Sequence, residues 1–212
     1  TMLGGYAMTA ITAVTAQNSV GVQAIEVLSP ETVGAQIDAC LSDIGADAIK
    51  IGMLGSAEIA HAVADRLEGL EMPVVFDPVM VATSGSLLAD RTTVTAFERL
   101  MRLATLTTPN VAELAALGGT EGMARRHVAH LAKGGDAGEP EVEDRLVRPG
   151  EEDRIWRSPR IDTRHAHGTG CTLSSAIATL LGTGFPLEEA IEGARSFVRA
   201  ALLAAPGFGA GH

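Results

Sequence analysis

Three short apolar runs, each ending in a chemically useful residue and each followed by a capped helix, restrict this chain more than any other feature. Asp47–Met53 (DAIKIGM) turns at Gly52, Pro73–Pro78 (PVVFDP) carries Asp77, and Ala104–Pro109 (ATLTTP) stops before Asn110. Runs of this length read as buried strands. Helices separate them: one capped by Ser56-Ala57-Glu58 and running through Leu67, one over Asp90–Arg102, and one over Asn110–Leu117. Buried strands alternating with helices across short links predict an α/β fold. The arrangement is three-layer α/β/α, a mostly parallel central sheet with helices on both faces.

The rest of the chain adds to that frame. Met8–Ala16 reads as a strand ending at Gln17-Asn18, and Val20–Val27 as a second, alternating strand at an edge. Ser29-Pro30-Glu31 has the serine cap, first-position proline and acidic first turn of a helix start. That helix runs to about Ile44, with Val33, Ile37, Cys40 and Leu41 on one face and Cys40 in the core. Further on, Glu121–His127 reads as a helix, and His130–Ala132 as a strand entering the turn Lys133-Gly134-Gly135. Glu139–Asp153 is polar and acidic, consistent with one exposed strand and a loop, and Ile155-Trp156-Arg157 with Ile161-Asp162 leads into the central turn at His165–Thr172. Two helices close the chain, about 168–182 and 186–203. The first residues read as the end of a helix, so an upstream piece is expected. With no internal repeat and no long linker, residues 1–212 make a single domain.

Net charge is −10 with no basic cluster, which argues against nucleic acid or an acidic membrane surface as partner. An anionic ligand must then be held locally, by backbone N–H groups, a lysine or a metal ion. No apolar run reaches the ~18 residues of a membrane span. Cys40 and Cys171 are the only cysteines, far apart, which suits a reduced, cytoplasmic setting.

In open α/β sheets ligands sit at the carboxyl ends of the strands. Candidate residues fall there repeatedly: Gln17, Met53, Asp77, Asn110 with Glu113, and Lys133-Gly134-Gly135. The run His165-Ala166-His167-Gly168-Thr169-Gly170-Cys171-Thr172 leads directly into an apolar, small-residue helix. A glycine turn opening a helix gathers free N–H groups and the positive end of the helix dipole, an anion site. The same field biases Cys171 toward thiolate. Each feature also has a plainer account. Gly168 and Gly170 would merely permit a tight turn, Asn110 with Glu113 would be a capping box, and Lys133 a solvated cation beside it. An amide and a carboxylate one helical turn apart also suit a hydrated Mg²⁺, and the cap and metal readings are compatible. Asp77 reads as an electrostatic or metal-site residue or as a turn cap. His61, His127 and His130 read as ordinary, and His165 and His167 as loop histidines.

Several segments together resemble, in order, the hydroxymethylpyrimidine/phosphomethylpyrimidine kinases of thiamine biosynthesis, members of the ribokinase-like superfamily. They are Thr12–Asn18 (TAVTAQN), Lys50–Leu54 (KIGML), Asp77–Gly85 (DPVMVATSG), Thr108–Glu113 (TPNVAE), Lys133-Gly134-Gly135 and Asp162–Thr172 (DTRHAHGTGCT). The resemblance implies ATP-dependent phosphorylation of 4-amino-5-hydroxymethyl-2-methylpyrimidine and then of its monophosphate. By it, Gln17 and Met53 hold the pyrimidine, with Asp77 beside the substrate. Gly168, Thr169 and Gly170 form the anion hole. Lys133, Gly134, Gly135 and Thr169 contact ATP, and Asn110 and Glu113 belong to the Mg²⁺ motif. Cys171 stands as the base where most ribokinase-like enzymes have an aspartate. The family's first strand and glycine-rich turn have no counterpart in residues 1–212, and Asp136 stands where the family has histidine after Lys-Gly-Gly. A homodimer is expected, with the segment near 20–27 as its contact. The nearest alternative is a pyridoxine or pyridoxal kinase of the same superfamily. A non-catalytic pyrimidine-sensing domain is an alternative of another class.

Overall fold

In the computed structural model, which describes residues 1–80, 90–135, 138–163 and 165–210, the three buried runs lie side by side as parallel strands. They are β3 (Ile49–Ile51), β4 (Val74–Phe76) and β5 (Leu106–Thr107), and β6 (His130–Ala132) continues the parallel set. Strands β7 (Glu141–Val147) and β8 (Arg154–Pro159) then pair antiparallel, so the sheet reads β3-β4-β5-β6-β7-β8 without a break in chain order. A separate antiparallel ribbon joins β1 (Ala13–Gln17) to β2 (Val22–Val27). Residues 81–85 of the DPVMVATSG segment, Asp136, Arg164 and the final Gly211-His212 lie outside the described residues.

Because sequential parallel strands are neighbours, right-handed crossovers place every connecting helix on one face. Helices α2 (Ala57–Leu67) and α3 (Arg91–Leu103), together with α1 (Pro30–Asp43), α4 (Val111–Ala116) and α5 (Gly119–Arg125), build that layer. Its core joins Phe76 and Val74 to Ile59, Val63, Phe97, Leu100 and Met123. The other face is covered by α6 (Thr169–Gly182) and α7 (Leu187–Leu203), which seal Val75, Leu106, Leu131 and Leu146 under Ile177 and Ile191. Alternation along β4, with Val75 on one side and Phe76 on the other, is the period-2 signature of a strand buried on both faces.

The caps form where serine, aspartate and asparagine stand. Ser29 Oγ accepts from Thr32 N–H at 3.2 Å, Ser56 Oγ from Ile59 N–H at 3.2 Å and Asp90 Oδ1 from Thr93 N–H at 2.8 Å. Four expectations need correction. Cys40 is only half-buried, since α1 buries just Val33 and Gly34. Residues 1–4 form a turn closed by Gly4 N–H to the Thr1 carbonyl, 3.0 Å, rather than a helix end. β7, expected to be an exposed strand, pairs on both sides and buries Asp144 and Leu146. Finally, Ile155–Arg157, read only as a lead-in to the central turn, belongs to β8. Among the described residues no helix is long and apolar enough to cross a membrane.

Candidate active site

A cleft of about 600 Å³ opens at the carboxyl ends of the parallel strands. Gln17, Met53, Asp77, Asn110, Glu113, Lys133 and Gly135 line it together with the turn Gly168, Thr169, Gly170 and Cys171. Every candidate residue except Gly134 therefore lines one cavity, although the segments stand up to 150 residues apart, as in the 3.1 Å contact of Gln17 Nε2 with His167 Nε2. Gly134 sits just behind the wall and turns its amide to Asp144.

The turn has the geometry of an anion-binding helix start. Gly168 adopts φ 76°, a left-handed conformation favoured by glycine, and α6 begins with the next residue. The Thr172 N–H already donates to the Gly168 carbonyl at 2.8 Å and the Thr169 N–H to Ala166 at 3.3 Å. The amides of Gly170 and Cys171 precede any carbonyl four residues back within the helix, so helix geometry leaves them for a ligand. Lys133 Nζ comes so near Gly170 that a side chain there would sit 3.2 Å from it.

Asp77 organises this region. Its Oδ1 accepts from Lys133 Nζ at 2.8 Å and from Thr108 Oγ1 at 3.1 Å, and its Oδ2 accepts from Ser174 Oγ at 3.2 Å. Asp77 is 1% exposed, and these three bonds tie the ends of β4, β5 and β6 to the first turns of α6. Burial alone would lower the Lys133 ammonium, but Asp77 and Glu113 outweigh it and raise its pKa above the ordinary value. Lys133 is thus a fixed cation.

Asn110 and Glu113 form a complete capping box. The Asn110 side chain accepts from Glu113 N–H, and Glu113 Oε2 accepts from Asn110 N–H, both at 2.8 Å. The second Glu113 oxygen has no bond in the cap. Burial raises the Glu113 pKa, with Lys133 opposing. Among the described residues no cage of three or more His, Cys, Asp or Glu groups assembles. A partly desolvated carboxylate with one oxygen outside its cap, beside an amide, fits a hydrated Mg²⁺, which needs few protein ligands.

Cys171 opens onto the cleft. Crowding by the surrounding protein raises its thiol pKa, Lys50 and Lys133 pull it down, and Asp77 adds to the rise. Desolvation thus works against the thiolate bias expected of the helix start.

Sequence reasoning passed over three features. His167 contacts Gln17 across the cleft mouth. Asp144 on β7 and Arg195 on α7 form a buried pair in the wall, Oδ2 to Nε 2.7 Å. A histidine next to a glycine turn was a signal for the first. Nothing local links the other two.

A family model described as phosphomethylpyrimidine kinase matches residues 1–212. A hydroxymethylpyrimidine/phosphomethylpyrimidine kinase from Rhizobium meliloti is 46% identical over 220 residues, 96% of this chain and 82% of that protein. The crystal structure of phosphomethylpyrimidine kinase from Clostridium difficile 630 superposes with a TM-score of 0.77 at 32% identity, covering 94% of this chain and 88% of that one. The pyridoxal kinase from Staphylococcus aureus, solved in complex with AMP-PCP and pyridoxal, superposes with a TM-score of 0.80 at 28% identity, covering 94% and 78%.

Proposed function

The chain belongs to the phosphomethylpyrimidine kinase family, and from that premise we infer what its cleft does. It uses ATP to phosphorylate the hydroxymethyl oxygen of 4-amino-5-hydroxymethyl-2-methylpyrimidine and then the resulting monophosphate, for thiamine diphosphate synthesis. One observation supports the assignment of roles: the Lys133 ammonium lies beside Gly170 at the start of α6, in a cavity that Gln17 and Met53 also line.

Each residue then has a physical task. Gln17 offers an amide to the ring's nitrogen substituents, and Met53 supplies an adaptable apolar surface. The pyrimidine hydroxyl points at Cys171, whose thiolate takes the proton as the oxygen attacks phosphorus. The Gly170 and Cys171 amides of the Gly168–Cys171 turn and the Lys133 ammonium hold the equatorial oxygens, where charge gathers during transfer. Asp77 keeps Lys133 in place rather than touching the ring. Lys133, Gly134, Gly135 and Thr169 form the nucleotide side. Asn110 and Glu113 would hold Mg²⁺, directly or through water, and its charge would offset that of the phosphates.

A pyridoxal kinase activity is the second reading, favoured by the structural likeness to the Staphylococcus aureus enzyme. A coupled ATP-consumption assay with hydroxymethylpyrimidine, its monophosphate and pyridoxal in parallel separates the two. Turnover of the first two is expected. Turnover of pyridoxal alone would overturn the substrate assignment, and ring binding without turnover would make the protein a sensor.

We also propose a homodimer with the β1–β2 ribbon at its contact, since Val14, Val20 and Val27 are exposed on one short hairpin. Light scattering coupled to size exclusion tests this, and a monomer at assay concentration would refute it. The free thiols Cys40 and Cys171, one of them needed unoxidised, suit the cytoplasm.

A further inference from the structure

Asp144 and Arg195 stand 51 residues apart in sequence and meet at the cleft wall. The Asp144 carboxylate is divided between two tasks. Its Oδ1 accepts from the Gly134 N–H at 3.1 Å, and its Oδ2 accepts from Arg195 Nε at 2.7 Å. Arg195 Nη2 donates onward to Ser158 Oγ on β8 at 3.2 Å. The two charged side chains are only 11% and 8% exposed.

A buried ion pair is costly to assemble and is seldom the most stabilising choice for its site. What this one does locally is specific. Gly134 follows Lys133 directly and lies so close to β7 that a Cβ would overlap the Glu143 carbonyl. The Asp144 oxygen is the acceptor that holds the turn in that seat, and Arg195 fixes the carboxylate from the far side.

We propose that Asp144 and Arg195 are positioning residues for the nucleotide turn. They seat Gly134 against β7, set the direction in which Lys133 leaves the strand, and join α7 to the phosphate side of the cleft. The inference rests on reading Lys133-Gly134-Gly135 as a contact for ATP.

ADP affinity by calorimetry and thermal midpoint are measured together on the full chain. Replacing both charges, Asp144→Leu with Arg195→Met, removes the desolvation cost and the acceptor at once. The expected result is a midpoint near that of the parent and an ADP Kd weakened about tenfold, the scale of one lost bond to a charged group. An ADP Kd equal to the parent's at that parent-like midpoint would show a structural role only and overturn the proposal. Should that variant fail to fold, Asp144→Asn with Arg195→Gln decides, because Asn keeps a neutral acceptor for Gly134. Its ADP Kd should stay within about threefold of the parent even as the midpoint falls. A Kd that weakens in step with the midpoint would again overturn the proposal. ADP binding is read without any pyrimidine. Failure of the parent protein to phosphorylate hydroxymethylpyrimidine would therefore sink the substrate assignment and leave this test intact.

Discussion

Cys171 and Glu113 are where single atoms decide the outcome. The two phosphorylations place different demands on a base. The first acceptor is an alcohol, which must lose a proton, whereas the second is a phosphate monoester, largely ionised at neutral pH since its second pKa is about 6. Cys171→Ala should therefore lower kcat for the alcohol by ~10²–10⁴ and spare the monophosphate step. Equal losses on both substrates, in single-turnover measurements, would assign Cys171 to binding instead. Because burial raises its thiol pKa, the thiolate fraction at neutral pH is small and grows with pH. The rate of the first step should climb through the alkaline range while the second stays flat, and Cys171→Asp, ionised throughout, should remove the climb. Glu113→Gln separates cap from metal: the amide oxygen still accepts the Asn110 N–H, so the helix start survives. Its half-saturating Mg²⁺ concentration should rise with the thermal midpoint unchanged, and an unchanged Mg²⁺ titration would leave Glu113 as a cap alone.

At the scale of elements, the Lys133–Gly135 turn is held more tightly than its glycines suggest. Gly134→Ala would force a methyl into the Glu143 carbonyl and should destabilise the fold by ~1–3 kcal/mol while raising the KM for ATP. Chemical denaturation and ATP titration check both, and a neutral substitution would mean that the turn relaxes freely. The helices and the first three sheet strands were legible because their caps and apolar runs are local signals. β7 was legible only as an exposed strand and β8 not as a strand at all, and the reason is physical. The β7 stretch buries only Asp144 and Leu146 fully, and β8 only Trp156. Asp144 breaks the apolar alternation at a buried site and is tolerable only because Arg195 arrives from α7. The exposed positions carry a cross-strand contact, Arg157 to Glu143 at 2.8 Å, which reads in sequence as a solvated loop. The same pairing hid Asp144 and Arg195 from any motif search, whereas the cleft's glycines, Asn110, Glu113 and Lys133 stood at strand ends where chemistry is sought first.

At the scale of the whole molecule, a buried histidine in β6 makes the sheet sensitive to acid. His130 is 1% exposed; its Nδ1 lies 3.3 Å from the Val128 carbonyl, and burial lowers its pKa below the ordinary 6.5. The unfolded chain then binds this proton more readily than the folded one. Stability from the neutral ring is complete above pH 6.5 and is lost as pH falls through that value toward the depressed folded pKa. Midpoints measured between pH 7.5 and ~5 should fall more steeply for the parent than for His130→Phe, and parallel slopes would place the acid sensitivity elsewhere. His130 had read as an ordinary histidine because nothing adjacent in sequence announces how deep β6 lies. The strand order has a further consequence for how such a chain is born. Its first helix layer is interleaved with the strands and emerges from the ribosome alongside them, but α6 and α7, which cover the second face, are translated only after every strand of the sheet. Until then the nascent sheet shows Val75, Leu106, Leu131 and Leu146 bare, an adhesive surface that invites chaperone capture or misassociation. The Gly168–Cys171 turn is made with the same segment, so a product stalled before it is sticky and, on the proposed reading, inert together.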